Sequence, residues 1–200
     1  MENIKLNKLR AEVEGAEVSA SGTVQVNPSL KMNVNISGKN IDLASLLKDN
    51  QDLNLSGKAN LTFSLNGSDK NITGKGSVTS SALKAYGLNI TNINIPLSYT
   101  GSNNTFSSNG AVAKLYGGTL QNSLTFNMDK MTFTDNIYAS GVDVNSLLQD
   151  ASGGLGGNIT GTGKFSMKIT GTVKDTLTYS GTGNFSMGAG AVTGFKWLDL

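Results

Sequence analysis

Residues 111–120 read Ala-Val-Ala-Lys-Leu-Tyr-Gly-Gly-Thr-Leu, and the fold can be reasoned outward from this stretch. Ala111, Ala113 and Leu115 recur with a period of two, which is typical of a β-strand. The glycine pair that begins at Gly117 allows a sharp bend or a positive φ, and the chain after it is extended again. The stretch therefore predicts two strands separated by a tight break.

Much of the chain after this stretch repeats what precedes it. Four segments align in order with earlier ones: Gly118–Gln121 with Gly22–Gln25, Val142–Leu148 with Ile41–Leu47, Gly161–Gly171 with Gly57–Gly67, and Gly181–Phe185 with Gly74–Val78. The spacing drifts in small steps that fall in polar stretches, as expected for a duplication with insertions in its turns. The sequence therefore predicts one β-rich segment of a longer protein, with about two units at residues 1–87 and 88–200.

Composition excludes several classes of function. The 200 residues carry a net charge of +2 and a single arginine, Arg10, so no nucleic-acid partner is expected. Cysteine and histidine are absent, which removes thiolate chemistry and the commonest general base and metal ligand. No catalytic residue, metal site or cofactor is predicted, and the chain is expected not to be an enzyme.

Period-two alternation extends over most of the sequence. It is clearest from Leu53 to Leu65, and Asn66-Gly67 is a strong signal for a hairpin turn. Between Ile90 and Ile93 the parity shifts, and Pro96 suggests an edge strand or a bulge.

Two short helical turns interrupt the predicted strands. Asp42 and Asp143 occupy matching places in the two units, and each is expected to cap such a turn. Asp129, Asp135, Asp150 and Asp175 are interpreted as turn residues, where aspartate is common. A pocket that gathers two or more aspartates would instead favour an enzyme.

The fold class expected from these patterns is all-β and mainly antiparallel. Each strand has one apolar face, which a sandwich, a closed barrel or a curled sheet could bury. Glycines recur on the apolar face and favour strong curvature: Gly22, Gly57, Gly74, Gly76, Gly161, Gly163, Gly181 and Gly183. We therefore expect a curled, repeated β-sheet that forms an apolar groove, with one or two short helical turns.

Three motifs resemble those of the AsmA-like proteins. They are the Leu-Tyr-Gly-Gly-Thr-Leu of residues 115–120, the Val-Asp-Val-x-x-Leu-Leu of residues 142–148 and the Gly-x-Gly-x-Phe strands that follow. The resemblance spans the whole chain. It implies a TamB-type periplasmic protein of two-membrane bacteria, anchored in the inner membrane by an N-terminal helix that this sequence lacks. It further implies repeated curled sheets whose apolar trough carries phospholipids towards the outer membrane.

With this resemblance, the apolar face is interpreted as a groove for phospholipid acyl chains. The candidate groove residues are Leu53, Leu55, Leu61, Phe63, Leu65, Val78, Phe165, Met167, Ile169, Phe185 and Met187. Burial of an acyl chain contributes about 0.8 kcal/mol per methylene, so about a dozen methylenes suffice for binding. Without the resemblance, an ordinary core is the simpler interpretation. The alternative function is therefore a structural or adhesive surface protein built of β-repeats with a dry core.

Overall fold

A single antiparallel sheet of eleven strands makes up nearly all of the computed structural model, which describes residues 3–13, 15–46, 54–151, 159–174 and 176–191. The strands are β1 (Asn3–Val13), β2 (Ala16–Gln25), β3 (Lys31–Asp42), β4 (Leu55–Ser68), β5 (Thr73–Ala85), β6 (Leu88–Thr100), β7 (Thr105–Leu115), β8 (Gly118–Asn127), β9 (Thr132–Asp143), β10 (Thr162–Val173) and β11 (Leu177–Met187). Two short helices, α1 (Leu43–Leu46) and α2 (Val144–Ala151), follow β3 and β9.

Strand order in the sheet is the same as strand order in the sequence. Each strand pairs with the next, from β1 at one edge to β11 at the other, and the described part of the sheet does not close into a barrel. Both helices lie at one end of the strands, which we call the helix side. The connections after β2, β4, β6, β8 and β10 lie at the other end, the turn side. The prediction of an all-β, curled antiparallel sheet with two short helical turns is confirmed.

Tight hairpins on the helix side explain the glycine pair of the opening stretch. Tyr116 and Gly117 have φ of 43° and 79°, and Tyr86 and Gly87 have φ of 50° and 84°. Positive φ at both central residues defines the type I′ turn, whose twist matches that of the flanking strands. Gly118 must also be glycine, because a Cβ there would lie 2.6 Å from the Ser140 carbonyl oxygen.

The pairing register places apolar side chains on one continuous face. One row across β3 to β6 is Ile36, Phe63, Gly76 and Leu97. A comparable row across β8 to β11 is Leu120, Ala139, Phe165 and Phe185. We call this surface the apolar face. The opposite, polar face carries serine, threonine, asparagine and lysine side chains, such as Ser19 opposite Ser37.

Bulges keep the apolar face in phase where the sequence alternation breaks. Asn92 has φ of 51° and lies between Ile90 and Ile93, both of which stay on the apolar face. Pro96 lies on the central strand β6 within an irregularity of its pairing with β7, so of the two predicted alternatives the bulge is confirmed and the edge strand was wrong. Its lack of an N–H accounts for the interrupted β6–β7 pairing on either side of it.

The register also tests the alignment of the two units. Leu61, Phe63 and Leu65 occupy the same positions relative to their neighbours as Phe165, Met167 and Ile169, as the alignment required. The first aligned segment is wrong, however. Gly118 is the first residue of β8, and Ala16 is the first residue of β2. The counterpart of Gly118 is therefore Ala16, which lies six residues before the predicted Gly22. With the corrected alignment, the positive-φ bulge at Lys8 in the first unit corresponds to the one at Gly110 in the second. The bulge at Asn40 corresponds in the same way to the one at Gly141.

Each unit therefore consists of five equivalent strands with one helix after the third strand. The first unit is β1 to β5, the second is β7 to β11, and β6 lies between them. The boundary between residues 87 and 88 stays a prediction.

One predicted turn is displaced. β4 runs through Asn66-Gly67 to Ser68, and the turn is formed by a short 3-10 segment, Asp69–Asn71. Asp69 moves the turn because its N–H donates to the Leu30 carbonyl at 2.9 Å and its carboxylate accepts from the Leu30 N–H at 3.0 Å. These bonds tie the turn to the neighbouring β2–β3 connection.

Both helix caps form as predicted. The Asp42 carboxylate accepts from the Ser45 N–H at 3.1 Å, and the Asp143 carboxylate accepts from the Ser146 N–H at 2.8 Å. Hydrogen bonds from Ser146 lower the pKa of Asp143. The two caps are N-terminal caps of the ordinary kind.

Candidate functional site

The apolar face is the candidate site, and ten of the eleven predicted groove residues lie on it. They are Leu55, Leu61, Phe63, Leu65, Val78, Phe165, Met167, Ile169, Phe185 and Met187. Leu53 lies outside the described residues. The four lysines that alternate with them, Lys58, Lys75, Lys164 and Lys168, are exposed on the polar face.

The turn-side half of the apolar face is filled by aromatic rings. Phe63 on β4 is only 8% exposed, and its ring centroid lies 5.9 Å from that of Phe106 on β7. Tyr99 on β6 stacks on Phe106 at 4.8 Å. In a flat sheet β4 and β7 would be about 14 Å apart, so this contact reflects curling towards the apolar face.

Glycines make this contact possible. A Cβ at Gly74 would lie 2.5 Å from Phe63 Cζ, and one at Gly76 would lie 2.7 Å from Phe63 Cδ2. The ring of Phe63 therefore lies across both glycines. The prediction that these glycines leave room is right, but here the protein itself uses the room.

A cavity of about 200 Å³ remains nearer the helix side. It is walled almost completely by apolar atoms of β5 to β9: Leu83, Ile90, Ile93, Ile95, Ala111, Val112, Ala113, Leu120, Asn122 and Ile137. Ligand pockets usually measure about 300–1,000 Å³. This cavity therefore suits a segment of an aliphatic chain better than a complete amphiphile.

None of the predicted groove residues lines this cavity. The sequence did contain a signal for it, namely the parity shift between Ile90 and Ile93. With the bulge at Asn92, both isoleucines point to the same face instead of opposite faces. Ala111 and Ala113, from the opening stretch, contribute small side chains that leave the space open.

Besides Ser80, whose hydroxyl donates to the Lys58 carbonyl at 2.6 Å, two polar features interrupt the described part of the apolar face. The Asn122 side-chain amide donates to the Asp135 carboxylate, which lies between Leu124 and Ile169 on the neighbouring strands. Burial raises the pKa of Asp135, against the lowering effect of hydrogen bonds from Asn122 and Asn136. The interpretation of Asp135 as a turn residue was wrong, since it lies in β9.

The hydroxyl of Ser108 is the second polar feature. Ser108 is 2% exposed and faces Leu124 across β7 and β8. Its Oγ has no hydrogen-bond partner among the residues that the structure describes.

The helix side of the apolar face is closed by α2. Leu147 of α2, together with Phe165, packs against a buried cluster of Leu115, Ala139 and Val142. Val144 is also buried. The apolar face therefore has a covered end at α2.

Tyr116 of the opening stretch holds α2 in place. Its hydroxyl donates to the Asp150 carboxylate at 2.5 Å and accepts from the Asn89 N–H at 3.0 Å, while the Asn89 amide donates to Asp150 at 2.6 Å. Burial and the bond to Asp150 raise the pKa of Tyr116. Asp150 lies in α2, so its assignment to a turn was also wrong.

The aspartates that the structure describes have separate local partners. Besides the two caps, Asp69 binds Leu30, Asp129 binds Asn104, Asp135 binds Asn122 and Asp150 binds Tyr116. Asp175 lies outside the described residues. In the described ranges no three histidine, cysteine, aspartate or glutamate side chains come together as a metal site would require.

None of the helices in the described part of the chain is long and apolar enough to cross a membrane. We compared the chain with protein-family models, with curated proteins and with solved structures, and none of the three comparisons gave a match.

Proposed function

We propose that this chain binds the acyl chains of phospholipid along its apolar face and serves, without a reaction of its own, as part of a lipid conduit between two membranes. The observation that carries the proposal is a largely apolar face on a curled sheet, over which the described residues place no second sheet. The location in a periplasm, the inner-membrane anchor and the role in outer-membrane biogenesis rest on the resemblance to AsmA-like proteins.

Exposure of large apolar side chains supports this proposal. Ile4, Leu9, Met167, Tyr179 and Phe185 all lie on the apolar face and are substantially exposed. Ile4 and Leu9 lie at one edge of the described sheet and the other three on its last two strands, and exposed apolar patches of this kind commonly bind a ligand or partner. Next to the cavity residue Ile137, the exposed Met167 and then β11 continue the face, so a chain seated in the cavity can extend in that direction.

The size of the cavity bounds the energetics. Six methylenes seated there would contribute about 5 kcal/mol at about 0.8 kcal/mol each. That gain alone corresponds to a dissociation constant near the millimolar range before ordering costs. Useful affinity therefore requires the rest of the acyl chain to bind the open face, and such graded contact suits passage along a conduit.

A structural β-repeat with a dry core is the second candidate. The packing of Phe63, Tyr99 and Phe106 favours it, because these rings fill the apolar face without any ligand. The two candidates differ in what they predict for the cavity on β5 to β9.

Native mass spectrometry of the protein purified from cells tests the proposal. Ala113→Phe should fill the cavity with a ring and reduce co-purifying phospholipid at least about fivefold. Gln121→Phe is the matched control, because it adds the same ring to the exposed, polar face of the adjacent strand β8. Circular dichroism should show the same sheet content in both variants.

Two results would contradict lipid binding at the cavity. One is a folded protein that carries no phospholipid and takes none up from vesicles, which would favour the dry β-repeat. The other is equal lipid loss in the Ala113→Phe and Gln121→Phe variants.

A further inference from the structure

The two outermost strands of the described sheet, β1 and β11, differ in their protection against pairing with another strand. β1 carries Lys5, Lys8, Arg10 and Glu12 and has a bulge at Lys8. Charges and bulges of this kind are how natural sheets prevent edge-to-edge association. β11 has neither: its eleven residues contain no charged side chain and no proline, and it pairs with β10 without a break in register.

β11 is also the most exposed strand. Every residue in it is exposed, including Leu177, Tyr179, Phe185 and Met187 on the apolar face. Tyr179 is 71% exposed and Phe185 59%. In the other unit the equivalent strand β5 is covered on this side by β6.

The sequence of β11 is a palindrome in residue class, centred on Thr182. It reads Leu-Thr-Tyr-Ser-Gly-Thr-Gly-Asn-Phe-Ser-Met. Antiparallel pairing with an identical strand about Thr182 sets Leu177 opposite Met187, Tyr179 opposite Phe185 and Gly181 opposite Gly183. Hydroxyl and amide side chains face one another between them, and no like charges meet.

We propose that β11 is a homodimer interface, in which two copies of this chain pair antiparallel about Thr182 and extend the sheet across a two-fold axis. Such an isologous contact closes on itself and does not propagate into a filament. Two strands of this length exchange about ten backbone hydrogen bonds, the number that a typical interface carries.

The proposed pairing also matches the faces of the two copies. Tyr179 and Phe185 both lie on the apolar face, so an axis perpendicular to the sheet keeps the two apolar faces on one side. Aromatic pairs directly opposite one another across two strands stabilise a sheet. The inference rests on β11 alone and does not depend on lipid binding.

Sedimentation velocity on the full chain from about 1 to 100 μM tests the proposal. We expect a monomer–dimer equilibrium that Tyr179→Lys and Phe185→Glu each weaken at least about tenfold. Combining both substitutions places opposite charges face to face twice across the axis, so the double variant should return to within about threefold of the unsubstituted chain. The conservative Tyr179→Phe should leave the equilibrium unchanged.

Ile4→Glu is the control at the other edge, where Ile4 is similarly exposed on the apolar face. It should not change the dimer. If Phe185→Glu fails to fold, the contrast between Tyr179→Lys and Tyr179→Phe decides the matter. A chain that stays monomeric at 100 μM would overturn the proposal. So would oligomers that grow beyond dimers and respond to Ile4→Glu, or a double variant that is not rescued.

Discussion

The two units of the sheet use the same strand pattern but treat the apolar face differently. In the first unit, Phe63 lies across Gly74 and Gly76 and is buried. In the second unit, Met167 stands at the place of Phe63 and is 40% exposed. A Cβ at Gly183, the counterpart of Gly76, would lie 2.9 Å from the Ser166 carbonyl oxygen and 3.6 Å from Met167 Cα and Cβ, so no ring lies over that glycine.

The difference follows from what lies beyond each unit. The first unit is continued by β6 and β7, which supply Tyr99 and Phe106 as partners for Phe63. The second unit ends at β11, where the described sheet supplies no such partner. A repeated strand pattern thus sets which positions are apolar, while the next strands decide whether those positions become a filled core or an open surface.

Removal of the buried Phe63 ring should give the largest loss of stability and so the clearest difference between the two units. Phe63→Ala should lower the free energy of unfolding by about 3 kcal/mol, because it removes a buried ring and its aromatic contact. Met167→Ala should cost about 1 kcal/mol, since Met167 is already 40% exposed and has no aromatic partner comparable to Phe106 among the described residues. Urea denaturation of both variants measures the difference, and equal losses would mean that the second unit is packed as tightly as the first.

A methyl group added to the glycines should have the next largest effect. Gly76→Ala should cost about 2–3 kcal/mol, because the new Cβ would meet Phe63 Cα at 2.7 Å and backbone atoms of Thr62. Gly183→Ala, at the equivalent position, should cost about 1 kcal/mol, because its Cβ would approach the Ser166 carbonyl oxygen only to 2.9 Å and would meet no ring. Thermal denaturation followed by circular dichroism compares the two, and a larger loss at Gly183 would contradict the open second unit.

The helix caps offer a smaller contrast. Asp143→Ala should cost about 1 kcal/mol, because it uncaps the eight-residue α2, whereas Asp42→Ala in front of the four-residue α1 should cost less. Since the folded pKa of Asp143 is lowered, its contribution is present at neutral pH and is lost as pH falls through that folded pKa. Urea denaturation at pH 7 and at pH 3 should therefore show the cost of Asp143→Ala shrinking in acid.

Substitution of Asp135 should change stability the least, and its dependence on pH should be opposite to that of Asp143. It occupies the position of the buried Val34 in the first unit. Because its folded pKa is raised, the folded state binds the proton more readily than the unfolded state. Its contribution to stability is therefore largest below the unfolded pKa and is lost as pH rises through the folded pKa. Asp135→Asn should remove this component, so a difference in stability from the unsubstituted chain that is the same at pH 3 and pH 7 would contradict the assignment.

Alternation in the sequence was sufficient to predict the faces of most strands. The candidates on β4 and β10 lie on the apolar face because each strand keeps strict period two without a bulge inside the relevant stretch. Both aspartate caps were predictable for a similar reason, since a capping bond involves residues only three apart.

The errors arose where local pattern and tertiary pairing disagree. The match between Gly118–Gln121 and Gly22–Gln25 rested on three identical residues out of four, whereas pairing with β3 and β9 fixes the true offset. Asp135 reads as a turn residue because its partner Asn122 lies on another strand. The cavity escaped prediction because it is shared by five strands, although the parity shift between Ile90 and Ile93 signalled the bulge on which it depends.

The unbroken sequential order of the strands has a mechanical consequence. Backbone pairing joins each described strand only to the strands before and after it, so tension applied across β1 and β11 would load the hydrogen bonds of these edge strands one after another instead of all at once. We therefore expect the sheet to peel strand by strand under low force, in steps of one strand length. A molecule built in this way yields gradually to stretching and can re-form from whatever portion of the sheet remains.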